Sequence, residues 1–292
     1  MRTFTITLAD GRRLDCLEAG DPDGWPLLLH HGTPSSRLVP PWWDATSAAT
    51  GVRLLSFSRA GYGGSTPKPG RSVADVAADA AAVLDVAGVD RSAVWGHSGG
   101  GPHALACAAL LGGRVTVAVS LAGVAPFDAE GLDWLAGMGE ANVAEFGLMQ
   151  QGREGALAAL DEEREAIMGA APEEMAAALE SLVSDVDLAA FDAEFSAAIH
   201  ASMSEGLRDS AEGWVDDDIA FVSPWGFDLA DITGEVRIWQ GVADLMVPPA
   251  HGRFLAAALP HAAFELRPEH GHLSLIGPAA FAEILATLPH PA

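Results

Sequence analysis

Basic residues are scarce in this chain of 292 residues. Lysine and arginine number 16 against 40 aspartates and glutamates, Lys68 is the only lysine, and the formal net charge is −24. A nucleic-acid surface needs clustered basic residues to neutralise phosphates, and the sequence contains no such cluster. We therefore expect neither nucleic acid nor an anionic membrane as a partner.

Cysteines and long apolar runs are scarce as well. Cys16 and Cys107 are the only cysteines, and they lie too far apart in the sequence to match a metal-binding spacing, so we expect no metal. With so few cysteines, we expect reduced thiols and a cytoplasmic location. No apolar run reaches the roughly 20 residues of a membrane helix, and the N-terminal stretch lacks the apolar block of a signal peptide. With 49% hydrophobic residues, the chain can still bury a sizeable core.

The alternation of apolar patterns predicts an α/β fold. Residues 3–20 alternate apolar and polar side chains around Asp10-Gly11, which is typical of a β-hairpin. Helically spaced segments separate several short apolar runs, and this order predicts a mostly parallel central sheet flanked by helices. The apolar runs cover residues 25–32, 52–58, 93–95, 115–124, 235–241 and 262–268.

The pattern changes after Pro126. Residues 127–222 are alanine-rich with helical spacing, and they hold 23 acidic and three basic residues, a net charge of −20. This shift predicts a helical cap subdomain over 127–222, inserted into a core domain formed by 1–126 and 223–292. Within the cap, we expect Asp216 to Asp218 to form a helix start or a surface turn rather than a cation site.

Gly96-His97-Ser98-Gly99-Gly100 matches the Gly-x-Ser-x-Gly pattern of a nucleophile elbow. A strand is predicted before it and a helix after it, as that elbow requires. Glycines are needed on both sides because side chains there would collide with the neighbouring strand and helix. We therefore interpret Ser98 as a nucleophile rather than as part of a glycine-rich structural turn.

A serine hydroxyl needs a base to take its proton, and the base needs an acid to orient it. Asp244 follows one late predicted strand, and His270 and His272 follow the next. We favour His272 because the preceding glycine lets its ring turn inward, with His270 as the alternative. Asp128 is the alternative acid. No third ligand cluster accompanies the two histidines, which disfavours a metal site.

Two backbone amides are predicted to stabilise an oxyanion. One is the N–H of Gly99, and the other is the N–H of Thr33, in the loop after an early buried strand. A turn that merely ends that strand is the alternative for the loop. Apolar cap residues more often pack helix on sheet than line a site. We nevertheless predict four substrate-binding residues: His31, His97, Trp134 and Met138.

Five stretches, "HHGTP", "SRAGYGGS", "GHSGGG", "GVADLMVP" and "HGHLS", together resemble the α/β-hydrolase superfamily. More narrowly, they resemble its esterase-type members with an inserted helical cap. The resemblance covers nearly the whole chain and implies about eight strands and no cofactor. It also implies a triad of Ser98, Asp244 and His272, with an oxyanion hole formed by Gly99 and Thr33.

The chain departs from that family pattern in two places. Ser58 stands where many members carry aspartate before the arginine, so the hydrogen bonding of that loop is expected to differ. No tryptophan stands beside Ser98 as in proline iminopeptidases, which disfavours a peptidase. The serine itself separates the chain from haloalkane dehalogenases and epoxide hydrolases of the same fold, which use aspartate at the elbow.

The sequence hypothesis is serine-mediated hydrolysis of a small, largely apolar carboxylic ester through an acyl-enzyme intermediate. The same triad acting on a lactone, an amide, a C–C bond next to a ketone or a peracid is the alternative among enzymes. A ligand receptor that keeps the triad but signals through its cap is the alternative from another class. The expected partner is a small-molecule substrate, and the chain is expected to be a monomer or a homodimer.

Overall fold

The computed structural model describes residues 1–149, 152–259 and 261–288. Its centre is one eight-stranded sheet with the strand order β1-β2-β4-β3-β5-β6-β7-β8. The strands are β1 Arg2–Thr7, β2 Arg13–Gly20, β3 Trp25–His30, β4 Val52–Phe57, β5 Ser92–His97, β6 Val115–Leu121, β7 Glu235–Gly241 and β8 Ala263–Arg267. The predicted fold class is confirmed.

The N-terminal strands form the predicted hairpin. Strands β1 and β2 pair antiparallel with Phe4 opposite Cys16, and Gly11 takes a positive φ of 87° in the turn between them. Strand β2 pairs antiparallel with β4, and all remaining neighbours in the sheet are parallel. The parallel strands therefore present their carboxyl ends at one edge, where the connecting loops meet.

Each face of the sheet carries its own hydrophobic core. Along β3, Leu28 packs into one core, whereas Leu27 and Leu29 pack into the other, as the alternation of side chains along a strand dictates. Helices α2 Val76–Val86, α3 Gly100–Leu110 and α10 Pro249–Ala258 cover the first face, and α1 Pro41–Ala49 and α11 Pro278–Thr287 cover the second.

Helices occupy the long connection between β6 and β7. They are α4 Glu140–Leu148, α5 Arg153–Gly169, α6 Met175–Ala178, α7 Asp185–Leu188, α8 Ala193–Gly206 and α9 Glu212–Phe221. Together these six helices are called the helical insert. A third apolar cluster, which includes Leu160, Leu207 and Trp214, packs part of the insert against Tyr62 of the core.

The interpretation of Asp216 to Asp218 as a helix start or surface turn is wrong. All three residues lie inside α9, and each is at most 2% exposed. Their burial has a physical reason, because arginines from distant parts of the chain contact Asp216 and Asp217.

Two observations bear on the scarce residue types. Cys16 and Cys107 are both buried and free of disulfide bonds. Within the described ranges, no helix combines the length and the apolar character needed to cross a membrane.

Candidate active site

Ser98 lies on a sharp turn between β5 and α3. Its φ is +56°, a left-handed backbone conformation that residues other than glycine rarely adopt. The Ser98 N–H donates to the carbonyl of Leu121 at 2.9 Å. A Cβ atom at Gly96 would overlap the carbonyl oxygen of Gly100. The flanking glycines therefore allow the backbone to pass closely enough to hold this turn.

His272 and Asp244 form a buried pair at the same edge of the sheet. His272 Nδ1 lies 2.8 Å from Asp244 Oδ2, and the two side chains are 1% and 0% exposed. Since the carboxylate accepts the Nδ1–H, the Nε2 atom of His272 is left with a lone pair. The other carboxylate oxygen accepts the backbone N–H groups of Met246 and Val247, and Gln240 donates to Oδ2. These bonds fix the carboxylate toward the imidazole.

The environment of His272 sets its basicity. Burial alone would lower its pKa, but the charge and hydrogen bond of Asp244 and the charge of Asp187 outweigh burial and raise the pKa above its usual value. His97 lies beside it, with ring centroids 4.7 Å apart, and its Nε2 donates to the His272 carbonyl at 3.2 Å. Burial and the neighbouring His272 hold the pKa of His97 well below its usual value. His97 thus acts as a neutral support that joins the Ser98 turn to the His272 loop.

The Arg59 side chain holds the loop that contains Thr33 through hydrogen bonds. The Arg59 guanidinium donates to the carbonyl of His31, to the carbonyl of Gly32 at 3.1 Å and to Thr33 Oγ1 at 3.0 Å. Thr33 lies against the Ser98 turn, so closely that a Cβ atom at Gly99 would overlap Thr33 Oγ1. The two residues predicted as oxyanion donors are therefore neighbours.

Asp217 of the helical insert is the counter-ion of this arginine. Its Oδ2 lies 2.5 Å from Arg59 and accepts from Tyr62 and Thr33, each at 2.9 Å, while its Oδ1 accepts from Arg71 at 2.7 Å. Burial would raise the pKa of Asp217, but the two arginines outweigh burial and hold it well below the usual value. The network ties the insert to the loop that contains Thr33.

A cavity of about 170 Å³ opens above Ser98. His97, Ser98, His272, Thr33 and Gly99 all line it. The remaining wall is mostly apolar and comes from the insert as well as the core; it includes Val124, Phe146, Ile199, Met203, Trp214 and Phe221. The helical insert therefore covers the serine and closes one side of the cavity.

Two acidic side chains of the insert lie next to each other in the cavity wall. Trp214 donates its Nε1–H to Glu145 at 2.7 Å, and Glu145 also hydrogen-bonds Asp218. Burial raises the pKa of Glu145 to about 7, and burial together with Glu145 raises the pKa of Asp218 well above its usual value. Two adjacent carboxyl groups in an apolar wall cannot both ionise cheaply, so the pair holds a proton near neutral pH.

Several predicted site residues lie elsewhere. Trp134 and Met138 do not line the cavity: both are buried in the core, and Trp134 donates its Nε1–H to the Ala125 carbonyl. Sequence alone could not place them, because an apolar residue suits a core and a pocket equally well. His31 also lies outside this cavity, where its Nε2 accepts the backbone N–H of Arg59. Asp128, the alternative acid, is exposed.

The acid pairs with His272 rather than with the alternative histidine, His270. His270 is partly exposed and follows the turn after β8, whereas His272 is buried and contacts Asp244. Within the described ranges, no group of three or more His, Cys, Asp or Glu side chains is arranged to hold a metal ion.

Sequence reasoning missed the acidic residues that surround the site. Glu145, Asp187, Asp217 and Asp218 come from the insert, and the sequence analysis assigned none of them to the site. A partial signal was present in α9, where the three aspartates stand between the apolar pairs Trp214-Val215 and Ile219-Ala220. Aspartates are almost never fully buried unless they are paired, so the burial of these three depends on partners that the local pattern does not reveal.

Comparisons with known proteins agree on the fold. A family model of the alpha/beta hydrolase fold matches residues 26–279. A bromoperoxidase from Bacillus anthracis aligns with a TM-score of 0.71 at 19% identity, over 98% of both chains. An esterase from Thermogutta terrifontis aligns with a TM-score of 0.69 at 19% identity, over 98% of this chain and 97% of that one.

One curated relative resembles part of the chain more closely. A non-heme chloroperoxidase from Streptomyces lividans is 34% identical over 127 residues, a stretch that spans 42% of this chain and 45% of that protein. The match thus spans less than half of that relative's length, and the structural neighbours share the fold at low identity. The family model covers most of the sequence, and the chain belongs to the α/β-hydrolase fold family.

Proposed function

We propose that this chain is a serine hydrolase that cleaves small, largely apolar carboxylic esters through an acyl-enzyme intermediate. The observation that carries the proposal is the arrangement in one cavity of Ser98, on a strained turn, and His272, paired with a buried Asp244. Membership of the α/β-hydrolase family and esterase-named structural neighbours support hydrolysis as the reaction class.

The proposed reaction follows from the roles of these atoms. Ser98 Oγ attacks the ester carbonyl while His272 Nε2 takes its proton and then passes it to the leaving alcohol. Asp244 keeps the Nδ1–H tautomer in place and stabilises the imidazolium. The N–H groups of Gly99 and Thr33 stabilise the oxyanion, each contributing about 10²–10³ in turnover. Water, activated by His272, then releases the acid.

The cavity supports a small substrate without negative charge. Its volume of about 170 Å³ is close to that of engineered apolar cavities of about 150 Å³, which bind benzene. The apolar wall suits short acyl and alcohol groups. The carboxyl pair Glu145–Asp218 opposes a substrate carboxylate or phosphate, because a second negative charge there would be unscreened.

The names of two relatives favour a second reaction of the same acyl-enzyme. The relatives named bromoperoxidase and non-heme chloroperoxidase suggest attack by hydrogen peroxide instead of water, which would release a peracid. The lactone, amide and C–C bond alternatives use the same residues, and a ligand receptor would retain them with very slow turnover.

Turnover of short p-nitrophenyl esters by the wild type and by Ser98→Ala tests the proposal. We expect hydrolysis by the wild type and near-background rates for the variant. Equal rates would end the proposal. Adding hydrogen peroxide and measuring peracid then separates the two fates of the acyl group. A panel of lactones, amides and diketones distinguishes the remaining reactions.

A further inference from the structure

A carboxylate from the helical insert contacts the loop that carries His272. Asp187 lies in α7 and is fully buried. Its Oδ2 accepts the backbone N–H of His272 at 2.9 Å, and its Oδ1 accepts the backbone N–H of Ser274 at 2.8 Å. One side chain of the insert therefore holds two amides of the core loop, one on each side of Leu273.

The local sequence is built for this contact. Ser184, the N-cap of α7, donates its hydroxyl to Asp187 Oδ2 at 3.1 Å and accepts the Asp187 N–H at 3.4 Å, which fixes the carboxylate. A Cβ atom at Gly271 would overlap the same carboxylate. The glycine before His272 thus makes room for Asp187 and not only for the imidazole.

The partners of Asp187 differ from those of two other buried aspartates, Asp79 and Asp217. Asp79 and Asp217 each pair with an arginine, whereas the hydrogen-bond donors to Asp187 are two backbone amides and a serine hydroxyl. Within the described ranges, no lysine or arginine forms an ion pair with Asp187, and the backbone and hydroxyl dipoles stabilise its carboxylate. The negative field of Asp187 therefore reaches the adjacent ring of His272.

We propose that Asp187 is a positioning residue, which aligns the His272 loop so that the imidazole faces Ser98 only when the helical insert is docked on the core. This inference rests on the proposed function, in which His272 is the base. The insert then does more than shape the pocket, since its undocking would leave two loop amides without acceptors and the imidazole without a fixed backbone.

The pH dependence of the reaction separates positioning from general structural support. The charged and titratable groups that face His272 are Asp244, Asp187 and His97. Both carboxylates raise the pKa of His272, while burial opposes them. Asp187→Asn keeps the shape of the side chain but removes its charge. The pKa of His272 should fall, and the acid limb of kcat/KM should move to lower pH.

The experiment compares Asp187→Asn, Asp187→Ala and the control Asp185→Asn, which removes a charge from an exposed position of the same helix. The readouts are the rate of Ser98 labelling by a fluorophosphonate and the kinetics of p-nitrophenyl acetate hydrolysis. We expect losses of about tenfold for the asparagine and on the order of 10²-fold for the alanine, as for a small displacement of a catalytic group. The loss should fall on kcat with little change in KM, and the control should match the wild type.

The outcomes decide the inference even if one variant fails to fold. Wild-type kcat and an unshifted acid limb in folded Asp187→Asn would overturn it. If that variant does not fold, Ser184→Ala removes only the hydroxyl that orients Asp187 and should give the same kind of defect; wild-type kinetics would overturn the inference. If the wild type neither hydrolyses esters nor reacts with the probe, the proposed function fails. An NMR titration of the His272 ring in Asp187→Asn still tests the positioning role, and an unchanged pKa refutes it.

Discussion

Replacing Arg59 with lysine should reveal how strongly the buried network holds the loop that contains Thr33. Lysine keeps the positive charge next to Asp217 but has one ammonium group in place of the planar fork that reaches His31, Gly32 and Thr33 at once. The His31 carbonyl would lose this donor in a site where the arginine is 2% exposed, whereas the Gly32 carbonyl keeps the Nδ1–H of His31 at 2.7 Å.

The size of the effect follows from those lost contacts. A buried acceptor left unsatisfied costs about 1–3 kcal/mol, so the loss at the His31 carbonyl should lower the free energy of unfolding of Arg59→Lys by about 1–3 kcal/mol. The matched control is Arg267→Lys, because Arg267 lies 2.6 Å from Glu283, whose side chain is 51% exposed. An exposed pair of this kind contributes at most about 1 kcal/mol.

Urea-induced unfolding and ester kinetics measure the two consequences. We expect a lower unfolding midpoint for Arg59→Lys than for Arg267→Lys, together with a lower kcat because the Thr33 amide is displaced. Equal midpoints for the two variants would refute the claim that burial makes this network important. A stability loss with wild-type kcat would refute the claim that the network positions the Thr33 loop.

Three further predictions concern the site. Because the pKa of His272 is raised and the base must be neutral, kcat/KM should fall as the pH drops through a value above the pKa of an ordinary histidine. A kcat/KM that does not change over this pH range would contradict the prediction. In the same test, Asp244→Asn should lower kcat by about 10³–10⁴-fold. Raising the pH through about 7 ionises Glu145, so the KM of the wild type for neutral esters should rise over this range. The control Glu140→Gln, which changes an exposed residue, should show the same rise, whereas Glu145→Gln should not. Gly96→Ala should destabilise the fold by about 1–3 kcal/mol by thermal melting, since its methyl group overlaps backbone, and an unchanged melting temperature would argue against so tight a turn.

The framework of the fold could be predicted because its signals are local. The hairpin around Gly11 and the apolar runs at residues 52–58 and 235–241 follow from patterns within about ten residues, and the structure has strands β4 and β7 at almost the same bounds. The position of Ser98, Asp244 and His272 at one edge of the sheet could be predicted, because parallel strands bring the loops that follow them to the same edge.

The contacts between the helical insert and the core could not be predicted, because they depend on pairing across large sequence separations. Arg59 and Asp217 are 158 residues apart, and Asp187 and Ser274 are 87 apart. Charge composition favoured exposure for these aspartates, and the free energy that reverses that preference comes from partners elsewhere in the chain. The same limit misplaced Trp134, whose ring contacts that of His251, 117 residues away.

Intact-protein mass spectrometry after treatment with a fluorophosphonate tests most directly whether Ser98 is an activated nucleophile. The wild type should gain the mass of one covalent adduct, whereas Ser98→Ala should gain none. An unmodified wild type, or an adduct that persists in Ser98→Ala, would contradict the account.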